Sequence, residues 1–357
     1  MQFSPDQSSA IEASRLKNLS IISGPPGSGK TALIAELSKR ENVLLLAPTG
    51  ASADRVAQST GSRAHVVDKV LFDTDIVKFV GKHIVLDEAG MLSTDGLERI
   101  HRFLKPKSIV LIGDIKQLPC VEGFSALGTL MAMPSVPKTL LVTLWRRSGH
   151  AEAALDRCLL SLGTPAFDPN DQDQSFQIVE CRDQNDAYDR ASVAFKEKPS
   201  QMIAYTNAAV KKLNEATESE QKIVKGTTRV SDRVVCVKNH YVKKILKVAN
   251  GTCGEAHERF VLYDNDYKDL KLETQFEPCR TLTVNKSQGS EYDAHGIVVL
   301  APWMGDPPLE LLYTAISRFK VSVTVYGTRN LVNRAFAAKF ANVVDEKLIT
   351  AVFDLNQ

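Results

Sequence analysis

The sequence lacks the features of a membrane-spanning or a disulfide-linked secreted protein. It has no run of 18 apolar residues, so no helix is predicted to cross a bilayer. The opening residues MQFSPDQSSAIEASR contain no apolar core of the kind that a secretory signal needs. The six cysteines include no C-x-x-C pair, which argues against a zinc site or a disulfide framework. We therefore expect a cytoplasmic protein with no membrane partner, in a bacterial cell or in the cytoplasm of a host infected by a phage or virus.

The chain also has little net charge and few tryptophans. Its 44 Lys and Arg residues against 42 Asp and Glu residues give a net charge of +2, so any nucleic-acid-binding surface must be local. The hydrophobic fraction of 43% and the charged fraction of 24% are ordinary for a globular protein. With 357 residues, the chain is long enough for two or three domains with their own cores.

One stretch carries a specific chemical signature. The sequence GPPGSGKT fits the phosphate-loop pattern G-x-x-x-x-G-K-[ST]. Glycines allow backbone N–H groups to surround an anion, and the following helix start adds the positive end of its dipole. In this pattern the lysine reaches the β- and γ-phosphates, and the threonine hydroxyl ligates Mg²⁺. The alternative is a glycine-rich strand–turn–helix connection. The residues predicted to bind the nucleotide are Gly24, Pro25, Pro26, Gly27, Ser28, Gly29, Lys30 and Thr31.

Apolar runs alternate with helical patterns in both halves of the chain. Such alternation predicts parallel sheets covered on both faces, with the ligand at the carboxyl ends of the strands. The predicted strands are 19–22, 42–48, 83–89, 108–114, 201–207, 279–289, 295–302 and 321–327, and the predicted helices of the second half are 208–218 and 307–319. Residues 163–175 read as a linker, and residues 222–278 as a small β-rich insertion. The predicted domains are 1–150, then 151–221 with 279–357, and the insertion 222–278.

Acidic residues stand at the ends of two predicted strands, Asp87 and Glu88 in the third and Asp114 in the fourth. Asp87 and Glu88 end the third strand, and a nucleotide site needs one carboxylate for Mg²⁺ and another to polarise the attacking water. The alternative is a solvated strand end. Gln117 follows the next strand in GDIKQLP and is a candidate sensor of the γ-phosphate.

Eight stretches together resemble superfamily 1 helicases of the RecD/Dda branch, in their order and spacing. They are GPPGSGKT, APTGASADRV, LDEAGML, GDIKQLPCVEG, LWRRSG, YTNAAVKKLN, TVNKSQGSEYD and LLYTAISRF. The resemblance covers nearly the whole chain. It implies an α/β protein with two RecA-like domains and a small SH3-like insertion. It also implies an ATP- and Mg²⁺-dependent motor that moves 5′→3′ on single-stranded DNA and unwinds duplex.

The resemblance also implies roles for individual residues. Around ATP, these are Gln7 on adenine, Lys30 and Thr31 on the phosphates and Mg²⁺, Asp87 on the metal, Glu88 on the water, Gln117 between the γ-phosphate and DNA, Gly289 near the γ-phosphate, Glu291 on the ribose, and Arg147 and Arg318 as arginine fingers from across the cleft. The residues implied to contact the backbone of the bound nucleic-acid strand are Thr49, Thr206, Asn207, Thr283 and Ser287.

Several of these assignments have alternatives within the sequence. Arg146 stands beside Arg147 and is an equally placed finger, and Arg318 has the alternative of a surface role. Gln7 is also the third helical position of a capping box that begins at Ser4. The chain departs from the family pattern where Val66 and Asp68 occupy the usual Thr and His positions. A second departure is Asn285, which replaces a histidine. The segment between the predicted strand-binding turn and LDEA is short, so a pin that separates the two strands of a duplex would be small.

Residues 222–247 hold eight Lys or Arg residues against one acid, Asp232. This composition predicts a face that follows the phosphates of a strand, with Lys243 and Lys244 as contacts. The alternative is a solvated β-domain surface or an edge guarded by lysines. Three aromatic residues near motifs are candidates for base stacking, with core packing as the alternative: Trp145, Trp303 and Phe124.

The predicted partners are single-stranded DNA and duplex junctions, for a protein expected to be a monomer that works with replication or repair proteins. RNA remains open as the strand, as in positive-strand viral helicases. A nucleic-acid switch that uses ATP without unwinding is the alternative from another class. A nuclease is not supported, because no carboxylate cluster stands outside the predicted ATP site.

Overall fold

A computed structural model describes residues 3–143, 145, 176–198, 201–218, 221–225, 228–238, 240–243, 245–248, 252–263, 267–305 and 307–337. These residues form two compact units. The first holds the described residues up to 145, and the second those from 176 onward. Each unit is built around its own parallel sheet.

The first unit contains a six-stranded parallel sheet in the order β3-β2-β4-β5-β1-β6. Its strands are β1 Leu19–Ser23, β2 Val43–Ala47, β3 Ala64–Val66, β4 His83–Leu86, β5 Ser108–Gly113 and β6 Lys138–Leu140. Its helices are α1 Pro5–Leu16, α2 Lys30–Leu37, α3 Gly50–Thr60, α4 Val67–Leu71, α5 Thr94–Leu104 and α6 Ala126–Ala132, with 3₁₀ turns at Ile76–Phe79 and Ala89–Met91.

The core of the first unit follows the period of two along each strand. Ile21 packs with the buried side of α5 and α6, whereas the next residue, Ile22, packs with α1 and α2. Both faces of the sheet are covered, so β1 is buried along its whole length. Its sequence LSIIS accordingly does not alternate between apolar and charged residues, and its two serines, Ser20 and Ser23, are buried with the rest of the strand.

The second unit contains a five-stranded parallel sheet in the order β18-β8-β19-β20-β7. Its strands are β7 Phe176–Cys181, β8 Gln201–Ala204, β18 Thr281–Thr283, β19 His295–Val299 and β20 Ser322–Thr328. Its helices are α7 Gln184–Glu197, α8 Asn207–Ala216, α9 Val284–Ser287, α10 Leu309–Ile316 and α11 Arg329–Ala337.

An antiparallel insertion separates α8 from β18. Five of its strands form a sheet in the order β16-β15-β14-β11-β17, and the other four form two hairpins. The strands are β9 Ile223–Lys225, β10 Thr228–Arg229, β11 Arg233–Cys236, β12 His240–Val242, β13 Ile245–Val248, β14 Cys253–His257, β15 Phe260–Tyr263, β16 Lys268–Asp269 and β17 Phe276–Pro278. Its small core is formed by Val234, Cys236, Ala256, Val261 and Tyr263, with neighbouring residues.

The predicted fold class, two RecA-like parallel sheets with a β-rich insertion, is confirmed. The continuous strand predicted over 279–289 is wrong. Only Thr281–Thr283 is a strand, because the Thr283 hydroxyl then accepts from the Lys286 N–H at 3.2 Å and begins α9. The sequence analysis missed the short strands β3 and β6 and also β7. The linker predicted at 163–175 lies outside the described residues.

Among the helices that the structure describes, none combines the length and the apolar character that a bilayer crossing requires.

Candidate nucleotide site and strand contacts

The phosphate loop connects β1 to α2 and requires glycine at two positions. Gly29 has a φ of 84°, and a Cβ there would lie 2.2 Å from Gln7 Nε2. At Gly24 a Cβ would lie 2.6 Å from Ser28 Oγ. Because both approaches are too close for a side chain, the loop can curl tightly ahead of α2. The curled loop and the start of α2 place the predicted phosphate ligands in one continuous turn.

Lys30 directs its charge back into this loop. Its ammonium donates to the backbone oxygens of Gly24 at 2.6 Å and Pro25 at 2.9 Å. Thr31 is exposed in the first turn of α2. The helix start, the ammonium and the loop N–H groups form the kind of site that binds anions such as phosphate.

The strand order brings the other predicted groups to the same edge. β5 lies between β4 and β1, and the Gly24 N–H donates to the Gly113 oxygen at 3.1 Å. The turn after β5 begins at buried Asp114 and leads to half-buried Gln117, whose N–H donates to the Asp114 oxygen at 3.2 Å. Gln117 therefore follows the strand that runs beside the phosphate-loop strand.

Asp87 and Glu88 follow β4 and are both buried. Burial raises the pKa of Asp87; nearby Arg55 opposes the shift, and the Glu88 carboxylate adds to it. Glu88 has a φ of 51°, in the left-handed region that a non-glycine residue seldom adopts. Such backbone strain costs on the order of 1–3 kcal/mol and is typical of functional sites.

Arg55 is a site residue that the sequence analysis missed. One of its nitrogens, Nη2, donates to Asp87 Oδ2 at 2.8 Å and to Glu88 Oε1 at 3.0 Å. It belongs to the stretch APTGASADRV, in which only Thr49 was predicted to be a site residue. The pairing crosses from α3 to the end of β4, and the sequence has no local signal for such a contact.

Gln7 joins the first helix to the phosphate loop. Its Oε1 accepts from the Ser4 N–H at 3.1 Å, so the capping role predicted for it is confirmed. Its Nε2 donates to the Ser28 oxygen at 3.1 Å. The side chain is buried, and it holds the loop in place. The adenine contact stays a prediction.

The second unit brings together three further predicted residues. Gly289 has a φ of 80°, and Glu291 lies 3.5 Å from the ammonium of Lys320. Arg318 is only 2% exposed, so the surface alternative for it is wrong. Its guanidinium donates to the Thr314 oxygen at 3.2 Å and to the Ser290 oxygen at 3.3 Å.

Three threonines that are predicted to contact the nucleic-acid strand share one local structure. Thr283 ends a parallel strand, and Thr49 and Thr206 lie two residues beyond one. Each caps the next helix, with its Oγ1 accepting at 3.2 Å from the N–H three residues on: Thr49 from Ser52, Thr206 from Ala209 and Thr283 from Lys286. Capping is therefore a confirmed structural role for all three. Whether they also contact a bound nucleic-acid strand stays a prediction.

The remaining strand candidates differ in how accessible they are. Asn207 is exposed in the first turn of α8. Ser287 is fully buried, and its hydroxyl donates to the Val284 oxygen at 2.8 Å. A direct contact from that hydroxyl would require α9 to rearrange. In the basic segment, Lys243 is exposed at the turn of the β12–β13 hairpin, with a φ of 49°.

Three of the predicted residues fall outside the described residues: Arg146, Arg147 and Lys244. The stacking candidates are described. Trp145 is 51% exposed, and its backbone N–H donates to the backbone oxygen of Gly27, in the phosphate loop, at 2.9 Å. Phe124 is 40% exposed, whereas Trp303 meets the buried Tyr205 edge to face. Trp303 itself is half-buried, and base stacking stays a prediction for all three residues.

Known proteins resemble this chain along most of its length. Residues 2–179 match a sequence family described as an AAA domain. The RecD subunit of the RecBCD enzyme from Mycolicibacterium smegmatis is 25% identical over 408 residues, which cover 92% of this chain and 72% of that protein.

Solved structures show the same fold. A structure of Bacteroides Pif1 bound to single-stranded DNA has a TM-score of 0.61 at 17% identity, and covers 99% of this chain and 97% of its own. The Pif1 helicase from Candida albicans has a TM-score of 0.59 at 16% identity, and covers 99% and 100%. The two parallel sheets and the antiparallel insertion that the structure describes therefore belong to a fold shared with these structures.

Proposed function

Since the chain belongs to the RecD/Pif1 branch of superfamily 1, we propose that it is an ATP-dependent DNA helicase. In this proposal it moves 5′→3′ along single-stranded DNA and unwinds duplex ahead of it. One observation carries most weight: the phosphate loop with Lys30 lies at the same sheet edge as the buried pair Asp87 and Glu88.

The first unit would bind ATP through its loop. Lys30 would move from its two backbone partners to the β- and γ-phosphates, and the N–H groups of the loop would surround them. The Thr31 hydroxyl and the Asp87 carboxylate are oxygen donors, which is the ligand type that Mg²⁺ prefers. They would hold the ion, which when bound neutralises charge on the β- and γ-phosphates.

Hydrolysis would depend on three side chains. Glu88 is held in a fixed backbone conformation and would orient the attacking water and accept its proton. Gln117 would sense the γ-phosphate. Arg318 would supply positive charge to the transferred phosphoryl group, as an arginine finger does in related chemistry. Either Arg146 or Arg147 is proposed as the second finger.

Strand binding would combine backbone contacts with local positive charge. The three threonine caps and Asn207 would contact phosphates at helix starts, where N–H groups favour anions. Lys243 and Lys244 would add charge from the insertion. Bacteroides Pif1 has been solved bound to single-stranded DNA, which supports DNA as the strand for this fold.

A strand-displacement assay tests the whole proposal. Wild-type protein with ATP and Mg²⁺ is given duplexes that carry a 5′ tail, a 3′ tail or no tail. Release of the labelled strand is expected only from the 5′-tailed duplex. Lys30→Ala should abolish release and hydrolysis but leave single-strand binding largely intact. Unwinding of 3′-tailed duplexes only would assign the opposite direction.

The same preparation separates the alternatives. ATPase rates are measured with oligo(dT) and with oligo(U) at equal concentrations. Stimulation by oligo(U) alone would favour an RNA motor. ATP turnover with no strand release from any substrate would favour an ATP-controlled switch, and turnover that Lys30→Ala leaves intact would contradict the central claim.

A further inference from the structure

Arg55 connects the ATP-site carboxylates, Asp87 and Glu88, with the helix that begins at Thr49, a predicted contact for DNA. It bonds both ATP-site carboxylates, at 2.8 Å to Asp87 and 3.0 Å to Glu88. The side chains of these residues are only 5% and 10% exposed, against 26% for Arg55. Hydrogen bonds between charged groups are shorter and stronger than neutral ones, so the guanidinium helps to fix where both carboxylates point.

The helix that carries Arg55 begins at a strand-contact candidate. Thr49 caps α3, and Arg55 follows six residues later, about 9 Å along the helix axis. Ala53 and Val56 are buried on its inner side, where α3 packs against α2 and β2. Thr49 caps, and Arg55 lies within, one continuously hydrogen-bonded helix of 11 residues, so a displacement at its first turn would move Arg55 as well.

We propose that Arg55 is a positioning residue that couples strand binding at the start of α3 to the orientation of Glu88 and Asp87. A phosphate held at Thr49 would shift α3 slightly, and Arg55 would carry that shift to the carboxylates. The coupling rests on the proposed function. It adds a route by which DNA stimulates hydrolysis within the first unit.

The rival explanation gives Arg55 a fixed role, in which it only balances two neighbouring negative charges. Coupling between two binding sites is reciprocal, so an ATP analogue must change strand affinity by the factor by which the strand changes analogue affinity. A static charge balance would affect hydrolysis but not that factor. The factor therefore separates the two roles without relying on turnover.

The experiment compares wild type with Arg55→Gln and Arg55→Lys. The dissociation constant of a fluorescent oligo(dT) is measured without nucleotide, and again with Mg²⁺ and a non-hydrolysable ATP analogue. Rates of ATP hydrolysis are then measured with and without oligo(dT), and kcat is separated from KM. The matched control is Arg99→Gln, an arginine of α5 in the same unit whose guanidinium lies 5.0 Å from the centre of the Phe72 ring. Thermal melting confirms that each variant is folded.

In wild type, the analogue should change strand affinity by a factor within the usual range of about 5 to 150. In Arg55→Gln this factor should approach one, and stimulation of kcat by oligo(dT) should fall with it. Affinity without nucleotide should stay within about twofold, because the Thr49 end of α3 is unchanged. Arg55→Lys keeps the charge but not the planar guanidinium, so its factor should lie between the two. Arg99→Gln should match wild type.

A folded Arg55 variant with the wild-type coupling factor overturns the inference, even if its kcat is low. That outcome would leave only the static role. If wild type itself neither binds oligo(dT) nor responds to it, the proposed function fails instead. The two failures are therefore distinguishable in one set of measurements.

Discussion

The two parallel sheets share a backbone design but differ in the residues that follow their strands. In both sheets a threonine two residues beyond a strand caps the next helix, as Thr49 and Thr206 do. In the first sheet, however, strand ends are also followed by the phosphate loop, by Asp87 and Glu88, and by Asp114. The three residues after β8, β18 and β19 include no acid, and the acid that follows β7, Asp183, caps α7 by accepting from the Asn185 and Asp186 N–H groups.

This difference shows how little sequence is needed to assign chemistry to a sheet edge. The carboxyl edge of a parallel sheet offers helix starts and N–H groups in both units. Two or three residues after each strand decide whether that edge can hold Mg²⁺ and water or only an anionic backbone. We therefore expect the first sheet alone to carry the hydrolytic carboxylates and both sheets to contact DNA at their threonine caps, with Arg318 as the exception through which the second unit contributes to hydrolysis.

The largest expected effect tests that exception. Arg318→Ala should lower kcat for ATP by up to about 10³-fold, because a finger acts on transition-state charge, and should change KM far less. Steady-state ATPase kinetics measure both constants. The control is Arg329→Ala, whose side chain is 76% exposed and pairs with Glu180.

A purely structural role of Arg318 would give a different pattern. Its bonds to Thr314 and Ser290 would be lost, so the melting temperature would fall while kcat per folded molecule stayed near wild type. A change confined to KM would indicate ground-state binding. Either result would restore a strict division of labour between the sheets.

Glu88→Gln tests the first sheet. It keeps the size of the side chain but removes the base, so turnover should fall by at least about 100-fold while ATP still binds. Single-turnover hydrolysis and binding of a fluorescent ATP analogue measure the two separately. Glu98→Gln, at an exposed position of α5, is the control. A loss of less than about tenfold would assign the base elsewhere, because general bases typically contribute 10² or more.

The threonine caps test what the sheets have in common. Thr49→Ala and Thr206→Ala should each lower the free energy of unfolding by about 1 kcal/mol, the usual cost of a lost cap. Asparagine is also a good cap, so Thr206→Asn should restore stability. If Thr206 contacts bound DNA, the Thr206→Asn variant should still bind oligo(dT) with an affinity different from that of wild type. Full recovery of both stability and affinity would leave capping as its only role.

The smallest effect concerns the insertion. If Lys243 touches a phosphate, Lys243→Ala should make the slope of log K against log[salt] shallower by about 0.7. Titrations of oligo(dT) at four or more salt concentrations give the slope. Lys39→Ala is the control, since this lysine follows the far end of α2 and pairs with Glu36. An unchanged slope for Lys243→Ala would remove this residue from the strand path.

Much of the candidate site could be predicted because its signals are local. The phosphate loop needs glycine where φ is positive, and a strand buried on both faces is mostly apolar, so both features are visible in the sequence. Failure of prediction also had local causes. The strand expected over 279–289 ends at Thr283 because a side-chain cap competes with the extended conformation.

Four features follow from the backbone preferences of neighbouring residues and are therefore encoded locally: the phosphate loop, the acidic end of β4, the helix caps and the alternation of strands with helices. The meeting of distant side chains depends instead on how the elements pack. Arg55 reaches carboxylates 32 and 33 residues away, and Gln7 reaches the loop 21 residues away. Such contacts follow from strand order and helix packing, which set distances that sequence separation does not encode.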